Sequence, residues 1–303
     1  MHDSLQGLLR SLDAVILGKP AVTRLSVTCL LAGGHLLLED LPGVGKTTLA
    51  HALARLSGLQ FQRLQFTSDM LPSDVLGVSI YHRETNTFTL QRGPVFTQVL
   101  LADEINRATP RAQSALLEAM QEGQVTLEGS THALLRPFFV IATQNPREQI
   151  GTYPLPESQL DRFLMRLSLG YPAPAAERQL LRGEERRGMI EALQPVLDAA
   201  LFLELQAAVG EVHVSDALLD YLQAVLTHTR RSPEYACGLS PRAGLALLRA
   251  TRAWALLEGR KHCVPEDLQA VLPSVAGHRL IARDGTRTAE DLGAALVAGV
   301  PIP

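Results

Sequence analysis

Lysine is scarce in this sequence. Three of the 28 cationic residues are lysines, Lys19, Lys46 and Lys261, and the formal net charge is −3. A protein whose main task is binding nucleic acid concentrates cationic side chains on one face. The sequence has no polybasic run and no excess of positive charge, so we expect no nucleic-acid partner. The scarcity also singles out Lys46, which lies in a glycine-rich turn.

Cysteine and long apolar runs are scarce as well. Cys29, Cys237 and Cys263 are far apart and lack the spacing of metal ligands, so we expect reduced thiols rather than a disulfide framework or a metal site. The first residues lack the cationic start, apolar stretch and cleavage site of a signal peptide. No apolar run has the length that crosses a bilayer. These absences are typical of a cytoplasmic protein without a membrane span.

The residues that are present favour an α/β fold. Apolar residues make up 46% of the 303 residues, which suffices for a large domain and a smaller one with a core in each. In the first half, short apolar runs alternate with helical periodicity, which predicts a parallel sheet with helices on both faces. Predicted helices cover Ser4–Leu17, Ala21–Ala32, Thr47–Ser57 and Pro110–Gln121. Predicted strands cover His35–Glu39, Phe61–Gln65, Val99–Ala102 and Phe138–Thr143.

Two segments interrupt this alternation. Val75–Gln91 and Gln124–Leu135 each contain two short β-type runs around a polar turn, so each is predicted to form a hairpin. After residues 171–174 the pattern becomes helical and shows no strand. Predicted helices there cover Ala176–Arg187, Ala199–Val209, Asp216–Arg230, Pro241–Glu258 and Pro265–Leu272. We therefore predict an α/β domain over residues 1–172, a linker or helical insert over 173–198, and a small all-helical lid over 199–303.

A phosphate-binding loop follows the first predicted strand and begins a helix, the context that this motif requires. Its glycines let backbone N–H groups face an anion at a helix N-terminus. Lys46 is predicted to reach the β- and γ-phosphates and Thr47 to hold Mg²⁺. Asp40 stands where the usual motif has its first glycine. The predicted nucleotide-binding residues are Pro42, Gly43, Val44, Gly45, Lys46, Thr47 and Thr48.

Polar residues also follow two later apolar strands. Asp103 and Glu104 end the run that begins at Val99. Asp103 is predicted to bind Mg²⁺ or its water ligands, and Glu104 to take a proton from the attacking water or hold it in line. Asn145 follows the next strand and is predicted to sit beside Glu104, because parallel strands end on one rim of a sheet. Taken alone, Asn145-Pro146 is as compatible with a simple turn.

Together these residues resemble the MoxR group of AAA+ ATPases over about Val15 to Leu272. The resemblance is carried by Gly93–Phe96, Leu101–Ala108, Ala115–Glu122, Ala142–Pro146, Leu155–Phe163 and Leu239–Ala243. It implies a P-loop AAA+ core followed by a helical lid, with ATP or ADP and Mg²⁺ as cofactors. It also implies that Asn145 is the sensor-1 residue. Arg162 matches the arginine finger, which acts on ATP in the neighbouring subunit. Arg242 matches sensor 2, which would contact the γ-phosphate from the lid.

Each of these arginines also has a simpler interpretation. Arg162 could form a surface ion pair with Asp161, worth under ~1 kcal/mol. Arg242 could be a solvated residue in the first turn of a helix, where the dipole disfavours a cation. A phosphate nearby would offset that disadvantage, and the surrounding motifs favour the functional interpretation.

The resemblance further implies ring assembly, commonly as a hexamer, with the two hairpins facing a central pore or a partner. Its implied function is remodelling of partner proteins, often ones with von Willebrand factor A domains. Two alternatives remain: a motor subunit of a magnesium-chelatase type, which shares the first hairpin, and a nucleotide-gated scaffold with little turnover. The residues Asp103, Glu104, Asn145, Arg162 and Arg242 are all present, which argues against the scaffold.

Overall fold

The computed structural model describes residues 2–145, 151–182, 186–283, 285 and 287–302, with only the backbone at 186 and 187. A five-stranded parallel sheet forms its centre, in the order β2-β5-β8-β1-β9. These strands are β1 (Leu36–Glu39), β2 (Phe61–Gln65), β5 (Val99–Asp103), β8 (Phe139–Gln144) and β9 (Met165–Leu167). The first four were predicted to within a residue at each end. The edge strand β9 was not, because three residues carry too little pattern.

Both faces of this sheet are buried, as predicted. Leu36 and Leu38 of β1 belong to one apolar cluster, and Leu37 between them belongs to another. Alternate residues of a strand point to opposite faces, so the two clusters lie on opposite sides of the sheet. The helices of this half are α1 (His2–Val15), α2 (Pro20–Leu31), α3 (Lys46–Leu56), α4 (Pro72–Leu76), α5 (Pro110–Glu122) and α6 (Glu157–Leu160).

Helix α5 begins and ends as its sequence predicts. The Ala112 N–H donates to the hydroxyl of Thr109 at 3.4 Å, and Pro110 fills the first helical position. Gly123 ends the helix with a φ of 62°, a conformation that suits glycine. Near this end, the Met120 carbonyl lies 3.1 Å from Nε2 of His35, the residue just before β1.

The two predicted hairpins are present as separate two-stranded antiparallel sheets. The first pairs β3 (Gly77–His82) with β4 (Thr87–Arg92), and the second pairs β6 (Gln124–Leu127) with β7 (Ser130–Ala133). On the first hairpin the rings of Tyr81 and Phe88 lie 5.0 Å apart. Phe88 is 65% exposed, so an aromatic pair faces solvent there.

The second half is a helical lid, as predicted. Two helices precede it, α7 (Pro174–Leu181) and α8 (Arg186–Ala192). The helices of the lid are α9 (Ala199–Gly210), α10 (Asp216–Arg231), α11 (Pro241–Leu257), α12 (Pro265–Ala276) and α13 (Ala289–Gly299). One helix was predicted over Ala176–Arg187. The structure has α7 and α8 there instead, and residues 183–185 lie outside the described residues. Helix α13 was not predicted.

The expectation of no strand in this half is wrong for one short pair. β10 (Tyr235–Cys237) and β11 (Ile281–Ala282) form an antiparallel ladder. The two strands are too short to show a periodic pattern, and their pairing joins distant parts of the chain. Only packing of the lid helices brings them together.

The lid and the sheet share a core. Leu247 of α11 and Leu268 of α12 belong to the same buried cluster as Leu5 and Leu12 of α1. No helix in the described parts of the chain combines the length and apolar character needed to cross a membrane.

Candidate functional site

An open cavity of about 310 Å³ lies where β1, β5 and β8 end. Three predicted motifs meet in its wall: the glycine-rich loop, the two acids after β5 and the polar end of β8. The lining residues are Pro42, Gly43, Gly45, Lys46, Thr47, Thr48, Asp103, Glu104, Thr143, Gln144 and Asn145. Of the predicted nucleotide-binding set, only Val44 is missing from this lining. It packs against the apolar core instead.

The glycines of the loop are required by its backbone conformation. Gly43 has a φ of 81° and Gly45 a φ of 100°, in the region that side chains disfavour. A Cβ on Gly43 would meet no atom within 4 Å, so the constraint there is conformational rather than spatial. Helix α3 begins directly after Gly45, at Lys46. Its N-terminal N–H groups therefore contribute a favourable environment for an anion in the cavity.

Asp40 has a structural role that explains its departure from glycine. One carboxylate oxygen accepts from the Leu41 N–H at 2.9 Å. The other accepts from the Gly170 N–H at 2.6 Å and the Ser168 hydroxyl at 3.0 Å. The start of the loop is thus tied to the chain after β9. The Lys46 ammonium donates to the Asp40 and Leu41 carbonyls, at 2.6 and 3.0 Å, which folds the loop around it.

Asp103 is held from two sides. The Thr143 hydroxyl donates to one carboxylate oxygen at 2.6 Å, and the Arg63 guanidinium donates to the other at 2.6 Å. The sequence analysis missed both partners. Arg63 is an ordinary cation of β2, and Thr143 is an ordinary residue of β8. Only the strand order β2-β5-β8, with β5 in the middle, places them beside Asp103.

Glu104 adopts a left-handed backbone conformation, with φ 56° and ψ 48°. This is rare for a residue with a side chain and is typical of functional sites. Its N–H donates to the Thr143 hydroxyl at 2.9 Å. Its carboxylate accepts from the Gln65 amide at 2.8 Å and pairs with Arg107 at 3.0 Å. The backbone N–H and one carboxylate oxygen, Oε2, are therefore held at the cavity wall.

Asn145 is buried and lines the same cavity, as expected for a polar residue at the end of β8. Its carbonyl accepts from the Asn106 amide at 3.5 Å. The residues that follow, 146–150, include Pro146 of the predicted motif and lie outside the described residues.

Arg162 and Arg242 line a second cavity of about 890 Å³ instead. Gly34 and His35, which precede β1, also line it, whereas the phosphate loop follows β1. The two cavities therefore lie at opposite ends of that strand. Arg242 therefore does not line the phosphate cavity of its own chain, and its predicted contact with the γ-phosphate stays a prediction. The first turn of α11 lies beside Asp161, with Arg242 Nε 3.9 Å from the Asp161 carboxylate.

His35 is a buried hydrogen-bonding centre beside the second cavity. Its Nδ1 accepts from the Val140 N–H at 3.0 Å, so Nε2 carries the proton and donates to the Met120 carbonyl at 3.1 Å. Burial lowers the pKa of His35 to about 4, and the Met120 carbonyl opposes this only in part. His35 therefore joins β1, β8 and α5 in its neutral form.

Comparison with known proteins adds to this geometry. Residues 35–165 match the family described as the ATPase family associated with various cellular activities (AAA), and residues 227–295 match the AAA lid domain. An uncharacterized protein of Bacillus subtilis (strain 168), YeaC, is 47% identical over 93% of this chain and 88% of its own length. Chaperone MoxR1 of Mycobacterium tuberculosis is 40% identical over 92% of this chain and 76% of its own length.

The chain belongs to the MoxR family of AAA+ ATPases. A crystal structure of a candidate ATPase from Cytophaga hutchinsonii agrees with the fold. It superposes with a TM-score of 0.90 at 34% identity and covers 100% of this chain and 96% of the other.

The two matched segments divide this MoxR-family chain in an informative way. The AAA segment, residues 35–165, contains every residue of the phosphate cavity and also Arg162. The lid segment, residues 227–295, contains Arg242. Residues of both segments therefore line the larger cavity, together with residues outside them such as Gly34 and Gln206.

Proposed function

We propose that this AAA+ ATPase hydrolyses ATP at the phosphate cavity to remodel partner proteins, and that it works as a ring, most simply a hexamer. The observation that carries the proposal is the convergence of Lys46, Thr47, Asp103, Glu104 and Asn145 on one cavity. Family membership implies ATP binding, and the name of the relative Chaperone MoxR1 supports a chaperone-like role.

Each cavity residue has chemistry suited to a step of hydrolysis. Lys46 neutralises charge on the β- and γ-phosphates. Glu104 orients the attacking water and accepts its proton, and Asn145 holds the same water in line. The bonds from Gln65 and Arg107 orient the Glu104 carboxylate.

The residues at the cavity also suit Mg²⁺. Thr47 offers a hydroxyl and Asp103 a carboxylate, and Mg²⁺ prefers such oxygen ligands. Asp103 is already buried and oriented by Thr143 and Arg63, as a ligand should be. When bound, the ion neutralises phosphate charge.

The position of the arginines supports a site shared between subunits. Arg162 and Arg242 face a cavity at the far end of β1 from the phosphate loop. Among the described residues of one subunit, Lys46 is the only cation that lines the phosphate cavity. Phosphoryl transfer benefits from an arginine supplied by a neighbour. We propose that both arginines of one subunit act on ATP bound to the next.

Mixed assemblies test this proposal. Arg162→Ala subunits keep an intact phosphate cavity, and Lys46→Ala subunits keep an intact Arg162. Each variant alone should be nearly inactive, and the loss of Arg162 should lower kcat by about 10³-fold or more. A mixture should regain turnover at mixed interfaces, measured as phosphate release across mixing ratios. No recovery at any ratio, with co-assembly shown by native mass spectrometry, would overturn the shared site.

The first hairpin supports contact with a client. Tyr81 and Phe88 present an exposed aromatic pair away from the core. We propose that it engages partner proteins, including ones with a von Willebrand factor A domain. A Glu104→Gln subunit should retain such a partner in ATP, whereas Lys46→Ala should not. The chelatase-type alternative instead requires ATP-dependent metal insertion into a porphyrin when partner subunits are added.

A further inference from the structure

A lid side chain, that of Arg279, forms most of the hydrogen bonds that hold the segment carrying Arg162, and His278 adds one to the Phe163 carbonyl. Arg279 ends the 3₁₀ turn Gly277–Arg279, which directly follows α12. Its guanidinium reaches across to residues 161–164 in the AAA segment. The contact therefore joins the two parts of the chain at the position of the proposed finger.

The hydrogen bonds of Arg279 flank Arg162 on both sides. Its Nη2 donates to the Asp161 carbonyl at 3.1 Å and the Phe163 carbonyl at 2.7 Å. Its Nε donates to the Asp161 carboxylate at 2.7 Å. Nη1 donates to the Leu164 carbonyl at 3.1 Å. A planar guanidinium with five donors can hold several carbonyls at once, whereas an ammonium cannot reproduce this fork.

The burial of Arg279 separates it from an ordinary surface pair. Its side chain is 7% exposed, against 58% for Arg242, which also approaches Asp161. Burial lowers the pKa of Arg279, and the hydrogen bond to Asp161 opposes that shift. A buried charge persists only where its donors are satisfied. A buried cation with satisfied donors thus holds this segment in place.

Arg162 itself has no such anchor. In the described residues, its guanidinium forms no hydrogen bond and no ion pair, and it faces the larger cavity. Its direction is therefore set by its backbone. A group that acts across an interface loses much of its effect when it is displaced by about 1 Å.

We propose that Arg279 is a positioning residue that aims Arg162 at the nucleotide of the neighbouring subunit and makes this aim depend on the position of the lid. The inference rests on the proposed shared site. A lid that moves carries Arg279 with it, so residues 161–164 move too. The lid of one subunit thereby regulates hydrolysis in the next.

Arg279→Met tests the inference, because methionine fills similar space without donors. Alone, it should lower kcat by about 10- to 100-fold, with the KM for ATP changed by less than about threefold. Arg279→Lys should restore only part of the rate. Arg283→Met is the matched control, since Arg283 lies in the lid and donates to the Tyr235 carbonyl rather than to residues 161–164. It should retain full turnover.

Mixed assemblies separate positioning from general damage. Arg279→Met subunits keep an intact phosphate cavity, so Lys46→Ala neighbours should restore their turnover. Arg162→Ala neighbours should not, because neither subunit then supplies a working finger. Recovery of turnover when Arg279→Met is mixed with Arg162→Ala would overturn the role of Arg279. So would a lack of recovery when Arg279→Met is mixed with Lys46→Ala, provided that the mixture of Arg162→Ala with Lys46→Ala does recover. Failure of that last pair overturns the shared site instead. If Arg279→Met does not fold, Arg279→Lys takes its place in the same mixtures.

Discussion

Asp40 stands where the phosphate-binding motif has its first glycine, and its carboxylate binds protein rather than ligand. Three donors, from Leu41, Ser168 and Gly170, converge on it. Glycine leaves a loop free, whereas this carboxylate holds the loop to the chain after β9. The substitution that looked like a weakness in the motif is therefore a structural support for it.

Asp40→Ala should weaken ATP binding. It leaves the half-buried Gly170 N–H and Ser168 hydroxyl without their acceptor, which costs up to about 1–3 kcal/mol, and it releases the start of the loop. We expect a Kd for ATP about tenfold higher and a lower Tm, measured by nucleotide titration and thermal unfolding. Asp69→Ala, at an exposed site outside the cavity, is the control. Unchanged affinity in Asp40→Ala would show that the carboxylate does not support the loop.

Glu104→Gln should abolish turnover while preserving binding. The amide keeps the shape and can still bond to its neighbours, but it does not accept a proton. We expect kcat to fall about 10²- to 10⁴-fold, with ATP affinity little changed. Glu122→Gln, at the exposed end of α5, should leave both unchanged. Phosphate release and nucleotide titration measure the two quantities, and normal turnover in Glu104→Gln would remove Glu104 from the reaction.

At the scale of elements, His35 shows how the sheet and a helix are joined. One imidazole accepts from the Val140 N–H in β8 and donates to the Met120 carbonyl near the end of α5. The bond from Val140 requires the neutral ring, because a protonated Nδ1 cannot accept. The junction is consequently sensitive to acid although it is buried and distant from the phosphate loop.

Stability should therefore fall as pH drops from about 6.5 to about 4. The unfolded chain takes up a proton at His35 near pH 6.5, while the folded protein resists it until about 4. The contribution of the neutral His35 to the free energy of unfolding is thus fully present above pH 6.5 and is lost as the pH falls from there to about 4. Burial also lowers the pKa of His278, which changes stability with pH in the same direction. His35→Gln should therefore reduce this pH dependence only in part. Urea unfolding at several pH values measures it, with the exposed His82→Gln as control. An undiminished slope in His35→Gln would contradict the assignment.

At the scale of the molecule, the lid shares the apolar cluster on one face of the sheet instead of having a core of its own. The predicted boundaries at 172 and 198 remain predictions, but the apolar cluster that covers one sheet face continues into α11 and α12. Arg279 adds a polar link between the same two parts. Motion of the lid therefore has to deform a shared interior.

Calorimetry should show one cooperative unfolding transition. A shared core makes separate melting of the lid unfavourable, so calorimetric and van't Hoff enthalpies should agree. ATP should raise the Tm of this single transition without splitting it. Two resolved transitions, with ATP shifting only one, would show that the lid unfolds independently.

The sequence determined much of this protein by itself. Glycines, Lys46 and Thr47 between a strand and a helix, and acids after an apolar strand, depend on local backbone chemistry, so pattern alone locates them. The four longer sheet strands and the caps of α5 are local in the same sense. The phosphate cavity could therefore be predicted almost residue by residue, except for Thr143 and Gln144 in its wall.

Only the tertiary structure decided the rest, because it depends on contacts between distant residues. The edge strand β9 and the pair β10–β11 form only where long-range pairing places them. Thr143 and Arg63 become partners of Asp103 through strand order. The position of Arg242, away from its own phosphate cavity, follows from how the lid packs. The hydrogen bonds of Arg279 to residues 161–164 join parts of the chain more than a hundred positions apart, and no local pattern encodes them.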